Sequence, residues 1–430
     1  MLPTALVSVF RFVARGFVIS AFVLGHFVIW LLGWLFMLLS FRSRAKRRVW
    51  FASRLTALIV SLGATYVKVA QIMSTRPDLF PPHIIEALEK LQDDVGAFSF
   101  KHVERAFMDE FGKPPARVFA EFDEVPIASA SVAQVHHARL DDGRRVAVKV
   151  RRPRIDRIVH FDLGIMRMFA KVMSIIPSIR LLAPVESVNE FARAIEMQID
   201  FTIEADNNRR FRKNFGDTSD VEFPELVPEL CTKTILTMSF IDGVKVLNYD
   251  PKISDPRRLA RVGFQTLLKM VFEDGFVHAD LHPGNILVTA DDMVTILDLG
   301  LTAELDDTDR RTFALFFSSW AQGDGKTMAR LMFEFSPNAK IKDYDAYEAE
   351  VLTFTAKYHG KALGEVEVSS VAFDMMGILR RHRVRVNPTF TMCNIAIAVT
   401  EGIGKQLAPE LDLISEGLPF FMRLQQEAKL

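Results

Sequence analysis

The chain has 430 residues, 49% hydrophobic and 25% charged, which is ample for one large two-lobed unit or two domains. Its 53 basic and 53 acidic residues cancel, so composition gives no global pull toward nucleic acid. The two cysteines, Cys231 and Cys393, lack metal-ligand spacing and exclude a disulfide framework; they suggest buried thiols in a reducing compartment.

From Gly16 to Ser40 no charged residue occurs, and His26 is the main polar interruption. About 20 apolar residues cross a bilayer as a helix, so this stretch predicts one transmembrane helix over 16–40, with Trp30 and Trp34 toward an interface. Arg42, Arg44, Lys46, Arg47 and Arg48 follow it, and only Arg11 and Arg15 precede it. The positive-inside rule then places the bulk of the chain on the cytoplasmic side, as in a bacterial inner membrane. The run is too long for a cleaved signal peptide, and no small-x-small site follows it. A buried hydrophobic hairpin is the competing reading. Residues 407–430 are too polar to span.

Downstream, the apolar spacing predicts a helix over 50–75, then a turn at Ser74-Thr75-Arg76-Pro77-Asp78-Leu79-Phe80-Pro81-Pro82, then helices over His83–Leu91 and 102–111. Strands are expected at Val118–Phe122, Ala133–Leu140 and Arg145–Val150, the last two joined through Asp141-Asp142-Gly143. Helices over Arg157–Ile176 and Val185–Phe215 come next, then strands near Leu226–Pro228 and Thr234–Met238. The remainder reads as helical, over 257–274, 308–321, 325–334, 369–381, 390–404 and 414–426, interrupted by one hairpin. That hairpin joins Ile286-Leu287-Val288 to Met293-Val294-Thr295-Ile296 through Ala290-Asp291-Asp292. A β-rich half followed by a helical half is the order of a bilobal kinase.

The hairpin carries the most informative motifs. His278-Ala279-Asp280-Leu281-His282-Pro283-Gly284-Asn285 places an Asp five residues before an Asn, and Asp298-Leu299-Gly300 follows the second strand. In kinase-fold enzymes the first Asp orients the acceptor, while the Asn and the second Asp hold Mg²⁺ on the phosphates of ATP. Mg²⁺ takes oxygen ligands, which suits Asn285 and Asp298. Zinc at His278, Asp280 and His282, or a plain capped loop, is the alternative for an isolated motif. Lys149 of Val146-Ala147-Val148-Lys149 matches the strand lysine that reaches the phosphates, and Glu204 is its expected carboxylate partner. Where a glycine-rich phosphate loop is expected, Ala128-Ser129-Ala130-Ser131 stands without glycine, which implies a stiffer loop.

Together these patches resemble the UbiB family of atypical kinases, also called aarF-domain kinases. Lys68-Val69-Ala70-Gln71 with the Ser74–Leu79 segment is similar to the family's K-x-G-Q and S-x-R-P-D-L motifs, and Leu91-Gln92-Asp93 continues it. Ala128 to Ser131 looks like its alanine-rich loop, and Gln198-Ile199-Asp200 with Glu204-Ala205 like its E-x-D motif and helix glutamate. The resemblance covers roughly residues 50 to 310. It implies a protein-kinase-like fold with signature helices over the active site, ATP and Mg²⁺ as cofactors, membrane association, and support of ubiquinone or other prenyl-lipid synthesis. By that route Lys68, Gln71 and Asp200 become pocket or regulatory residues. Ala70, Gln198 and Leu299 depart from the motifs, at positions where the family has Gly, Glu and Phe.

The expected fold is therefore α+β: a bilobal kinase-like fold with an N-terminal helical extension and one N-terminal transmembrane helix. Its expected parts are an anchor over 1–48, the extension over 49–115, an N-lobe over 116–243 and a helical C-lobe over 244–430. Expected partners are membrane lipids and prenylquinone-biosynthesis proteins, not nucleic acid. The competing functions are a small-molecule phosphotransferase of the aminoglycoside or choline kinase type, and a non-catalytic nucleotide-gated lipid-binding scaffold. The basic clusters Arg151, Arg152, Arg154, Arg157 and Arg380, Arg381, Arg383, Arg385 read as solvated faces or lipid-headgroup contacts.

Overall fold

A computed structural model describes residues 4–39, 43–74, 82–89, 91, 96–176, 184–334, 336, 341–359, 368–382, 384, 388–411 and 420. The Thr75–Leu79 part of the signature segment, Gln92-Asp93, and nearly all of the helix expected at 414–426 lie outside the described residues. The chain forms two compact units: Met1–Phe201 with Thr232–Leu236, and Thr202–Cys231 with Thr237–Leu430.

The first unit begins with α1 (Thr4–Leu39), the longest helix among the described residues, whose segment Val13–Met37 is long and apolar enough to cross a membrane. After it come α2 (Arg44–Leu62) and α3 (Ala64–Ser74), where one helix was expected over 50–75. The break is Gly63, at φ 103°, a conformation that favours glycine. Ala52 and Ile59 of α2, Val67 and Ala70 of α3, and Ile84 and Leu88 of α4 (Pro82–Glu89) form one packed cluster. Ala70, in place of the motif glycine, is a buried member of it, so its methyl group fills core space.

Helix α5 (Phe100–Phe111) leads to a small sheet of β1 (Glu121–Phe122), β2 (Ala128–Ser129), β3 (Ala133–Arg139), β4 (Arg145–Arg151) and β6 (Ile235–Ser239), in which β3 runs antiparallel to β1, β2 and β4. The strand expected at 118–122 shrinks to β1, because Pro115 starts a 3₁₀ turn and buries Phe119. β3 and β4 pair in full register from Ala133↔Arg151 to Arg139↔Arg145, as their alternation predicts. Helices α6 (Ile155–Met173) and α7 (Pro184–Gln198) pack on each other.

The helix expected over 185–215 is two helices. It stops at Gln198, and α8 (Phe201–Asn214) starts after Ile199-Asp200, so Glu204 sits in the first turn of a new helix. The break is held by bonds that sequence reading did not see. Arg151 donates to the Ile199 carbonyl at 2.9 Å, Phe201 N–H donates to the Lys233 carbonyl at 3.2 Å, and Lys233 pairs with Asp200 at 3.2 Å.

In the second unit, β5 (Val221–Glu222), β10 (Val294–Ile296), β9 (Ile286–Thr289) and β7 (Gly243–Lys245) form a sheet in that order, and β8 (Phe276–His278) pairs with β11 (Thr302–Glu304). The expected hairpin is β9–β10, paired Val288↔Val294 to Ile286↔Ile296, with Asp292 at φ 59° in its turn. β7, β8 and β11 are three-residue strands, too short to show a period of two. Helices α9 (Pro256–Leu268), α10 (Asp307–Gln322), α11 (Gly325–Glu334), α12 (Tyr344–Tyr358), α13 (Val368–Arg381) and α14 (Pro388–Leu407) complete it. The helix expected over 257–274 ends at Leu268 and continues as one π-helical turn, Lys269–Glu273. Helix α12 was not anticipated.

Candidate active site

In the second unit, His278 ends β8 and is fully buried. Its Nε2 lies 3.1 Å from the Leu297 carbonyl, which can only accept, so Nε2 carries the proton. That leaves Nδ1 to accept the Asp280 backbone N–H at 3.1 Å. One imidazole therefore ties the backbone of Asp280 to the residue before Asp298. Burial pushes the His278 imidazole below its ordinary range, against upward pulls from the Leu297 bond and from the carboxylates of Asp280 and Asp298. With both ring nitrogens engaged, His278 is not a zinc ligand in this arrangement, and the described residues hold no cluster of three or more metal-binding side chains.

Asn285 Nδ2 donates to the Asp280 carbonyl at 3.1 Å, and the Asn285 carbonyl accepts from Leu297 N–H at 2.8 Å. The Asn285 amide is buried, and its nitrogen is used on the loop, which leaves the oxygen as its group for a cation. Asp298 follows at φ 53°, in the left-handed region, and its side chain is exposed. Leu299, in place of the usual Phe, is 2% exposed, so this turn still anchors an apolar side chain.

Sequence reading missed the residue that holds this turn. Asn207 on α8 donates to the Leu299 carbonyl at 2.8 Å, and Asn208 beside it to the Pro224 carbonyl at 3.0 Å. Both are buried. Adjacent asparagines inside a helix are the available signal, since Asn is a poor helix former unless its amide meets a backbone group. Glu204, one turn earlier on α8, is 4% exposed.

In the first unit, Lys149 lies mid-strand on β4, paired with Val135, with its Nζ 5.3 Å from the centroid of the Phe201 ring. Ala128 and Ser129 form β2 and pair with Val135 and Gln134, and Ala130 N–H closes the turn on the Ala133 carbonyl at 2.8 Å. Arg152 then clamps the loop, donating to the carbonyls of Ser131 at 3.1 Å, Ala130 at 3.0 Å and Gly96 at 2.8 Å. Ser129 Oγ donates to the same Gly96 carbonyl at 2.9 Å. Arg151 and Arg152 are therefore internal braces, a correction to their reading as a solvated or lipid-facing cluster. In the other cluster Arg381 Nε bonds Glu350 at 2.8 Å, while Arg383 and Arg385 lie outside the described residues. We expect Arg152→Lys to speed amide hydrogen exchange across 128–133 at least tenfold, because one ammonium cannot hold three carbonyls in a plane. Unchanged protection would show that the clamp is idle.

Of the signature residues, Gln71 Nε2 donates to the Leu91 carbonyl at 3.2 Å, which ties α3 to the end of α4. Gln71 Oε1, Gln198 Oε1 and Ser131 Oγ are buried with no hydrogen-bond partner among the described residues. Such atoms cost free energy unless a ligand or water meets them, so these motif positions suit a polar ligand. Lys68 is half-buried on α3, and Asp200 pairs with Lys233.

His136 on β3 is a second buried imidazole, bonded to the Asp123 carbonyl at 2.7 Å and to Gln134 at 2.9 Å. Burial lowers its pKa. In the unfolded chain both imidazoles protonate near about 6.5, above their folded values. The unfolded state therefore binds more protons as pH falls below that value, and stability is lost in that direction. Urea midpoints are expected to fall between pH 7.5 and 5.5, and His136→Gln is expected to flatten the fall; an equal slope in that variant would exclude His136.

Residues 90–332 match the ABC1 atypical kinase-like domain, and residues 351–412 match the UbiB helical domain. The probable protein kinase UbiB of Glaesserella parasuis is 33% identical over 386 residues, covering 86% of this chain and 70% of that protein. The probable protein kinase UbiB of Vibrio parahaemolyticus is 32% identical over 376 residues, covering 85% and 69%. Among solved structures, the complex of Rv3197 with erythromycin from Mycobacterium tuberculosis aligns with a TM-score of 0.52 at 21% identity, over 81% of this chain and 89% of that one, a likeness in fold. With a kinase-like fold and both family domains in order, this chain belongs to the UbiB family of ABC1-type atypical kinase-like proteins.

Proposed function

We propose that this protein is a membrane-anchored, ATP-dependent atypical kinase or ATPase that supports ubiquinone or other prenyl-lipid biosynthesis. The observation that carries the reading is the His278 bridge, which ties Asp280 to the strand end before Asp298. Asn285 and Asp298 suit Mg²⁺, because both offer hard oxygen donors and the Asn285 nitrogen is already used on the loop. Bound there, Mg²⁺ would neutralise charge on the β- and γ-phosphates of ATP. Asp280 orients the acceptor hydroxyl or water and takes its proton. Lys149 is assigned to the phosphates on its strand motif, and Glu204 to Lys149 on its position in the family pattern. The loop Ala128–Ser131 is assigned to the nucleotide, and Lys68, Gln71 and Asp200 to its regulation. Anchorage is assigned to α1, and the partners proposed are membrane lipids and prenylquinone-biosynthesis proteins.

Asp280→Asn keeps the side-chain shape and removes the base. It is expected to lower ATP turnover about 100-fold or more while nucleotide-induced thermal stabilisation persists. A strain carrying it should show the quinone profile of a deletion. A wild-type quinone profile would instead favour the scaffold reading.

A further inference from the structure

We infer that α1 lies in the plane of a membrane surface, embedded in one leaflet beside α6, instead of crossing the bilayer alone. This rests on the membrane anchorage proposed above and specifies its geometry. All of the observations lie within the first unit. Helix α2 runs back along α1: the Trp50 ring packs against Gly33, Phe51 meets Trp30 edge-on at 5.9 Å, and Ser61 Oγ is 3.3 Å from His26 Nε2. At the far end, Arg15 donates to both carboxylate oxygens of Asp162 on α6, at 2.7 and 3.0 Å, and to the Leu62 carbonyl at 2.8 Å. Other residues of α2, Ala52 and Ile59, enter the cluster with α3 and α4. So α1 lies along the body of its unit and does not project from it.

That packing decides between two placements. A crossing α1 would carry α2, α3 and α4 into hydrocarbon, and with them Arg47, Arg48, Arg54 and the exposed Glu86, which is costly. An in-plane α1 needs none of this. Its covered flank meets α2, while Phe17, Leu24, Leu32 and Phe36, 62% to 76% exposed, meet acyl chains.

The apolar surface continues onto α6. Ile165 shares a packed cluster with Ile19. One turn on, Met168, Phe169 and Val172, followed by Ile175 and Ile176, are 45% to 77% exposed. Spacings of three and four residues put Ile165, Met168, Phe169 and Val172 on one flank of the helix. Lys171 on α6, with Lys46 and Arg48 on α2, is exposed and adds positive charge for anionic headgroups. The occupant of this surface is therefore one leaflet of an anionic bilayer.

The test uses the full chain carrying Cys231→Ser, in phosphatidylethanolamine–phosphatidylglycerol vesicles; Cys393 is fully buried and stays. Nitroxides at Phe17→Cys, Leu24→Cys and Leu31→Cys are expected at one common depth by oxygen accessibility, with Phe169→Cys and Val172→Cys also in lipid. A membrane-impermeant maleimide is expected to reach Ser8→Cys, Ser43→Cys and Asp141→Cys from the same side. If Ser8→Cys and Ser43→Cys react from opposite sides, or the α6 labels sit in water while α1 labels sit in lipid, the in-plane geometry is overturned and anchorage stands. Water exposure of every label would overturn the anchorage as well.

Discussion

Asp298→Asn is expected to remove Mg²⁺-dependent stabilisation of the protein by ATP or ADP. The substitution is chosen for the backbone. Asp298 sits at φ 53°, where Asn is tolerated and most other side chains are strained, so a loss of binding is not a loss of fold. The change removes a full negative charge from a cation ligand and leaves a carboxamide of the same shape. At a free nucleotide concentration about 100 times Kd, binding adds about 2.7 kcal/mol of stability. A 100-fold weaker complex would retain about 0.4 kcal/mol at the same concentration. The measurement is thermal shift with and without Mg²⁺, set beside Asp280→Asn, which is expected to keep its shift. Equal stabilisation of Asp298→Asn and wild type would refute the metal assignment.

The second large effect belongs to the first unit. Arg15→Met is expected to destabilise the first unit by about 3–5 kcal/mol, because it strands a buried carboxylate. The Asp162 side chain is 1% exposed and the Arg15 side chain 30%, so little water reaches the carboxylate once its partner is gone. Removing both charges with Arg15→Met and Asp162→Leu is expected to recover most of the loss, since an apolar pair needs no compensation. Denaturant unfolding in a mild detergent measures both variants. A single variant as stable as wild type would mean that the pair contributes nothing, and a double variant no better than the single would point to a role in packing alone.

Motifs with fixed local spacing were legible because their structure is local. The β3–β4 hairpin and the β9–β10 hairpin stand where alternation and turn residues put them; Asn285 and Asp298 flank β9–β10, and Asp280 lies in the loop that leads into β9. Helix α11 falls on the residues its apolar period predicted. The helix break at Ile199-Asp200 was not read. Asp200 before Phe201-Thr202-Ile203 is a helix-start signal that the long apolar period over 185–215 masked, and the bonds that hold the break come from Arg151 and Lys233. Asn207 was missed because its partner carbonyl lies 92 positions away.

By itself the sequence determined the family, the kinase-like fold, the oxygen-donor chemistry of the Asp and Asn set, and the presence of one long apolar helix. Each of these depends on residue type and short-range order, which the chain states directly. Only tertiary structure decided that a histidine couples the two acidic motifs, that Arg152 takes over the restraint of a loop without glycine, and that α1 lies folded against α2 and pinned to α6. Those are contacts between distant segments, and hydrogen bonds or burial at such range leave no period in the sequence to read.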